Sequence, residues 1–416
     1  MQRGENPNTG ESNQMTKSLL LCAGAMLLAC ARGDSQAPEY SSVLRDSAGV
    51  IILESPLTES LQLVTSDTAT VQIGVVEGDE RYQLYQVQGV RILPDRSILV
   101  LNAGTHEIRR YNPDGEWLAS YGRRGSGPGE LQFPLGLTRA LSDSTAVLDF
   151  GFRGFHIVGP EGRIERSQAV QTSMSGFVGL LDSTSMVVAA PDVPRGVYDQ
   201  IVTAEVAVAV LDLTAARADT LLVLAGFQQY NYTHGELVRT VPVPFTTMPA
   251  VGVRGGEIYV ADGLAPEVRV YNPTGELIRI LRLPIRPVRL EQEEWESTTN
   301  ALLESRARTT RGEGRLAPWE VDRQREVYKS MTKPEIRPFF DRIYLADHEA
   351  VWLREYQTVG KPQRWLGIDS QGRIATVLEV PSRVYVRDIT ADWVLGQEVD
   401  SLEVEYVVRY PTRSTQ

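Results

Sequence analysis

The chain has 416 residues, 42% apolar and 23% charged, a balance that excludes a disordered protein and fits either a few ordinary domains or one large closed β structure. A formal charge of -11 with no long basic stripe argues against nucleic acid as a partner. Two cysteines are too few for a disulfide scaffold, so a fold of this size must hold by packing.

At the N-terminus, Met15-Thr-Lys17 supplies a start and a positive charge ahead of the apolar run Ser18 to Ala29, SLLLCAGAMLLA. That run is too short to cross a bilayer and ends in small residues, so 1–30 reads as a secretory signal. Residues 1–14 are polar and precede this better start at Met15. The ending Leu27-Leu28-Ala29-Cys30 resembles the lipobox of bacterial lipoprotein signal peptides. The resemblance implies lipid on Cys30, a location in the cell envelope, and contact with the membrane through the anchor only. Residues 31–45, ARGDSQAPEYSSVLR, are polar with Pro and Gly and read as a flexible tether to a domain at 46–412.

From there the chain repeats itself. Arg91 to Tyr121, RILPDRSILVLNAGTHEIRRYNPDGEWLASY, and Val253 to Leu281, VRGGEIYVADGLAPEVRVYNPTGELIRIL, share one order: turn, apolar strand, Asn or Asp, loop, alternating strand, Tyr-Asn-Pro-x-Gly-Glu, strand. The turn recurs as NPDG (112–115), GPEG (159–162), NPTG (272–275) and DSQG (369–372). In three of the four, Pro presets φ at the second position, and Gly closes each turn between antiparallel strands. The spacing predicts four-stranded blades near 88–122, 134–170, 177–225, 249–283 and 339–381, with a remainder of three strands at 383–410. An orphan strand, TATVQIG (68–74), precedes the first blade. The prediction is an all-β, six-bladed β-propeller closed by 68–74 pairing with 402–410, because closure removes exposed sheet edges. Between 290 and 331 the strand signal lapses, and two amphipathic helices are predicted, the second opening at Pro318.

The pattern P-x-G-[IV]…IYVAD…[RV]-x-V-[YF]…x-G is similar to that of NHL-type six-bladed β-propellers. RDSAGVII (45–52), GSGPGE (125–130) and VLGQEVDSLEVEYVVRY (394–410) resemble a bacterial lipoprotein subgroup of that architecture. The resemblance spans roughly 45–410 and implies a fold but no established activity.

The glycine-rich stretch YGRRGSGPGE (121–130) is the one segment that reads superficially as a phosphate loop. A phosphate loop leads from strand to helix and carries Lys followed by Ser or Thr. This one leads into LQFPLGL, another strand, so it is expected to be a turn joining the outer strand of one blade to the inner strand of the next.

Second strands tend to end in an acid or amide: Asn102, Asp149, Asp192, Asp262 and Glu355. With His106, Arg123, Arg124 and Glu130 they form a candidate ligand face. The competing reading is that Asn and Asp side chains cap their own turns. No cofactor is expected, and a divalent cation is the alternative such a ring leaves open. The four histidines, His106, His156, His234 and His348, show no HExxH spacing, and no G-x-S-x-G elbow is present. The helical insertion places Trp295, Trp319 and Tyr328 on apolar stripes, a candidate lid or partner surface unless they pack on the propeller. The expected function is a non-catalytic binding or scaffold protein of the bacterial envelope, serving an envelope protein or a small ligand. The alternative is a metal-dependent hydrolase or lyase of propeller type.

Overall fold

The computed structural model describes residues 43–415, apart from 57–59, 141–142, 171–175, 216, 309–315, 347–349 and 359. The signal segment, Cys30, most of the tether and His348 lie outside the described residues.

Two four-stranded antiparallel sheets come first, Val87–Ile92 to Trp117–Tyr121 and Pro134–Arg139 to Ile164–Ala169. A five-stranded sheet follows from Phe177–Leu180 to Leu237–Pro242, then a sheet from Ala250–Arg254 to Leu277–Arg282. The last sheet has nine strands, in two antiparallel groups at 340–380 and 385–414. The first strand of each of these six groups contributes to the wall of one cavity, so the groups are arranged about a common axis. The arrangement is a β-propeller.

The repeated turns act as the sequence predicts. Asn112 Oδ1 accepts the N–H groups of Asp114 and Glu116, and Asn272 does the same for Thr274 and Glu276. Gly115 closes the first of these turns at φ +88°, a conformation costly for any residue with a Cβ. A Cβ there would also meet Val71 Cγ1 at 2.9 Å, so this turn seats directly on the N-terminal strand.

That N-terminal region departs from expectation in its extent. The strand predicted at 68–74 is only Val71–Ile73, and it pairs antiparallel with Val407, Val408 and Arg409 of the strand Glu405–Ser414. The partner does not start at 402, because Asp400 Oδ1 accepts the N–H groups of Leu402 and Val404 and holds 400–404 as a turn. Val71 and Ile73 are buried beside Val87, Val90, Leu395 and Val407, so this short strand spans the packing between the last group and the first sheet.

Three more strands precede it that the sequence reading does not contain. The hairpin Val43–Ser47 and Val50–Glu54 adds its second strand in parallel to Leu277–Arg282, so the predicted tether 31–45 overlaps regular structure. Leu61–Thr65 lies parallel to Ile374–Val380 and antiparallel to residues 412–414, which joins the last two groups into one nine-stranded sheet. Such short segments carry little period-two signal of their own, and their strand state comes from the partners they meet.

The third sheet is also larger than the predicted 177–225. Its strands Gln200–Asp212 and Arg217–His234 run on beyond the blade and, with Leu237–Pro242, form an arm. The insertion folds as α1, Gln292–Arg308, and α2, Pro318–Ser330, with Pro318 at the first turn as expected. Leu303, Val327 and Tyr328 bury Tyr232 and Val241 of that arm, and Trp295 and Leu290 enclose Phe245.

Candidate functional site

Of the acids and amide predicted as a ligand ring, Asn102, Asp149 and Asp262 are spent on backbone donors of nearby turns. Asn102 Oδ1 accepts Tyr85 N at 2.6 Å, while Nδ2 donates to Thr105 Oγ1 at 2.9 Å. Asp149 is fully buried, and its two oxygens accept the N–H groups of Gln132, Phe133, Gly151 and Phe152 at 2.6 to 3.1 Å. Burial alone would raise its pKa, but His156 and these donors outweigh it and hold the carboxyl well below the usual range. Asp262 accepts Leu264 N and pairs with Arg269 at 3.0 Å. Glu355 pairs across strands with Arg364 at 2.7 Å, and Asp192 is an exposed strand end opposite Glu205. In the fifth group the capping carboxylate is Asp341, on the inner strand, which takes Gln357 N and Arg354 Nε. The geometry therefore favours turn capping over a ligand ring at Asn102, Asp149 and Asp262, while Asp192 and Glu355 cap no turn.

The glycine-rich loop is likewise closed on itself. Leu131 N donates to Arg123 O, Gly127 N donates to Glu130 Oε2 at 2.8 Å, and Arg123 pairs with Glu130 Oε1 at 2.7 Å. The Gly127 donor first, then Arg123, lowers the Glu130 pKa. A Cβ on Gly125 would lie 2.0 Å from Glu130 Oε2, so a larger residue would push that carboxylate aside. Arg124 forms an isolated bridge to Leu131. His106 sits at φ +58° after the turn Ala103–Thr105, with a buried Nδ1 that lacks a partner.

Trp295 and Tyr328, predicted as lid or partner residues, are 4% and 3% exposed and belong to the interface that seats the helices. Tyr328 donates to Pro242 O, and burial pushes its pKa up to about 12. Only Trp319 keeps an exposed face, stacked on His234 at 3.9 Å. The stripes form because the extended arm offers an apolar surface that the blade count did not anticipate.

Three successive strands of the second sheet bring together a serine, a histidine and an aspartate. His156 Nδ1 lies 2.7 Å from Ser167 Oγ, and Nε2 lies 3.4 Å from Asp149 Oδ2. Ser167 faces His156 across antiparallel strands, and the Asp149 oxygens are saturated by backbone donors, so the set bridges strands rather than activating a nucleophile. Among the described residues no group of three His, Cys, Asp or Glu side chains is placed to hold a metal ion.

The least expected concentration of charge lies on the axis. A cavity of about 300 Å³ is lined by Arg91, Arg139, Arg254, Arg387 and Asp388, together with Tyr344 and apolar residues of five of the inner strands. Arg91 reaches into the second sheet, where Nη1 donates to Ser144 O at 2.5 Å and Thr145 Oγ1 at 2.6 Å. Arg254 Nη1 donates to Ala346 O and Ala350 O, and Arg387 Nη2 to Val87 O and Gln397 Oε1. These arginines tie neighbouring groups together through backbone carbonyls rather than carboxylates. Burial first, then the charge of Arg139, lowers the Arg91 pKa to about 10. Asp388 accepts Tyr344 Oη at 2.5 Å, and burial raises both pKa values. None of these arginines is among the candidate site residues of the sequence reading. The available signal was an arginine near the end of four inner strands, in GVR (89–91), LTR (137–139), GVR (252–254) and YVR (385–387).

No protein-family profile matches the chain, and no curated protein is significantly similar to it. Similarity to solved structures is broad but distant. A member of the DUF4221 family from Bacteroides vulgatus aligns at 9% identity and TM-score 0.47 over 86% of this chain and 100% of that one. A protein described as a putative exported protein from Bacteroides fragilis aligns at 9% identity and TM-score 0.40, over 86% and 100%. Virginiamycin B lyase from Staphylococcus aureus aligns at 10% identity and TM-score 0.34, over 83% and 93%. Among the described residues no helix is long and apolar enough to cross a membrane.

Proposed function

We propose that the chain is a closed, six-bladed β-propeller of the bacterial cell envelope, anchored by lipid on Cys30, that binds a ligand or partner without transforming it. The observation that carries this reading is the axial cavity, which one strand from each of six antiparallel groups helps to line. The pairing of Val71–Ile73 with Val407–Arg409 supports closure, because it supplies the fourth strand of the last group from the other end of the chain. The NHL-like repeat pattern and the lipobox-like ending at Cys30 support the type and the address. The capping duties of Asn102, Asp149 and Asp262 favour binding over metal-dependent catalysis, since these oxygens are committed to backbone donors and Arg269.

Two measurements test the reading. Cys30→Ser should move the protein from the membrane fraction to the soluble one; full membrane retention with no lipid mass at the N-terminus would contradict the anchor. Elemental analysis of protein purified without chelator should find no stoichiometric metal. One equivalent of a divalent metal, lost on substituting axial or loop-face side chains, would favour the hydrolase or lyase alternative instead.

A further inference from the structure

The chain enters the described fold at one rim. Val43 stands opposite Glu54, and Glu54 lies beside Arg282 in the parallel pairing of the hairpin with Leu277–Arg282. The loop 283–290 leaves that same end of Leu277–Arg282, and its Ile285 packs with Leu53 and Phe339 against one apolar cluster. Cys30 is thirteen residues ahead of Val43, a span of at most about 45 Å when fully extended. An anchor on Cys30 holds this rim within that distance of the bilayer.

The rim carries cations that the fold does not use. Arg286, Arg289 and Lys361 are exposed, and among the described residues none of their side chains has a hydrogen-bond or ion-pair partner. The other cations nearby are committed: Arg282 pairs with Glu54 and Glu267, Arg337 with Glu294, and Arg364 with Glu355. Arg286 and Lys361 line a groove of about 430 Å³ together with Ile285, Val288 and Phe339. Arg289 stands opposite Ile336 in an antiparallel bridge, both exposed, while Leu290 beside it is buried. Val288 and Ile336 are 48% and 40% exposed, so apolar side chains stand among the free cations. The exposed acids Glu291 and Glu335 sit at Leu290, on the α1 side of this patch. Unpaired cations interleaved with exposed apolar side chains match an anionic bilayer surface, where phosphates meet the cations and apolar groups enter the headgroup layer.

We propose that this rim lies directly on the membrane, with lipid phosphate groups paired to Arg286, Arg289 and Lys361 and with Val288 and Ile336 in the headgroup layer. The inference rests on the anchored reading and adds a contact of the folded domain to that of the anchor. It turns a tether into a fixed orientation, because a weak second contact held near the surface by the anchor acts at high effective concentration. Each basic side chain at an anionic leaflet strengthens attachment roughly fivefold, so three bias the orientation while leaving the non-lipidated domain only weakly bound. The net charge of -11 opposes approach, but charges further away than a Debye length, about 10 Å at 0.1 M salt, are largely screened, whereas the rim is in contact.

The test is vesicle flotation of residues 31–416, which lack the anchor cysteine and keep every described residue. Vesicles of phosphatidylglycerol with phosphatidylcholine should carry the protein at about 0.1 M sodium chloride and release it at about 1 M. Vesicles of phosphatidylcholine alone should not carry it. The triple variant Arg286→Glu, Arg289→Glu, Lys361→Glu should bind at least about tenfold more weakly, and it should fold because all three side chains are exposed. Arg96→Glu, at the exposed turn between Val87–Ile92 and Ile98–Asn102, should stay within about twofold of the parent. Residues 31–416 contain no cysteine, so a bimane label on Val288→Cys reports this rim alone. Its emission should shift to the blue on the anionic vesicles, and the same label on Arg96→Cys should not shift. No flotation with the anionic vesicles, equal binding to both vesicle types, or a triple variant that floats as well as the parent would overturn the proposal. So would a label at 288 that stays in water while the protein is bound. The anchor is read separately, by lipid mass at Cys30. Lipid found without flotation removes the surface contact alone, and flotation without lipid removes the anchor and leaves the contact standing.

Discussion

Replacing Asp149 with alanine separates loop capping from ligand binding most sharply. The side chain is fully buried and takes four backbone N–H groups, from Gln132, Phe133, Gly151 and Phe152. The small cavity left by the carboxylate can admit water to some of these donors. If two remain unsatisfied at about 1–3 kcal/mol each, Asp149→Ala loses ~4 kcal/mol of stability. Asp149→Asn keeps one acceptor oxygen but turns an NH2 group toward a backbone donor, so its loss should be about half as large. The sign of the pH dependence follows from the lowered carboxyl pKa. The charged form contributes stability in full above the unfolded value of 3.8, and the contribution is lost as pH falls through the lower folded value. The assay is thermal unfolding of parent and both variants at neutral pH and at pH near 3.5, followed by far-UV circular dichroism. The parent should lose stability on acidification more steeply than Asp149→Asn. An Asp149→Ala variant within about 0.5 kcal/mol of the parent would refute the capping account and return Asp149 to the list of ligand candidates.

Replacing 291–331 with a Gly/Ser linker should preserve most β signal. It should lower the melting temperature and promote aggregation, because Tyr232, Val241 and Phe245 lose their cover; an unchanged melting temperature would show that the helices contribute nothing to the arm. Ser167→Ala should cost about 1 kcal/mol, as it removes the partner of His156 Nδ1, and Ser167 should not react with a fluorophosphonate probe; covalent labelling at Ser167 by mass spectrometry would make the Asp149–His156–Ser167 set a nucleophile. Trp319→Ala should cost little, about 1 kcal/mol or less, as its ring is 40% exposed. Trp295→Ala, deep against Phe245, should cost about 3–5 kcal/mol by chemical denaturation; equal effects would contradict the division of the insertion into a buried and an exposed face.

The turns were legible in the sequence because they are local. Asn112, Pro113 and Gly115 carry the whole geometry of their turn within four residues, and Asn272 to Gly275 repeat it. The insertion was legible because a strand period gives way to a helical one there. What the sequence hid depends on partners far along the chain. Leu61–Thr65 is a strand because Ile374–Val380 and residues 412–414 flank it, more than three hundred residues away. The arm at 200–242 exceeds the length a blade needs, so a count by blade spacing cut it short. The capping role of Asp149 was one of two readings that residue type allowed, and only the positions of four N–H groups separate them. The axial arginines carried a visible repeat, but a single Arg at the end of an apolar strand reads as a solvated edge until five other strands are placed around it.

The most direct test of the closed ring is a truncation series of the non-lipidated chain, comparing forms that begin at residues 43, 67 and 77 by thermal unfolding. The first should match the parent, since every described strand is retained. The second loses the hairpin 43–54 as well as Leu61–Thr65 with its buried Leu63, and should be moderately weakened. The third also loses Val71 and Ile73, 2% and 0% exposed, and their ladder to Val407–Arg409. At about 1.5–3 kcal/mol for each buried aliphatic side chain, the three together remove at least about 5 kcal/mol. The account predicts a large further drop in melting temperature, or loss of the folded state, between the forms beginning at 67 and 77. A form beginning at 77 that melts with the parent would contradict closure by the N-terminal strand.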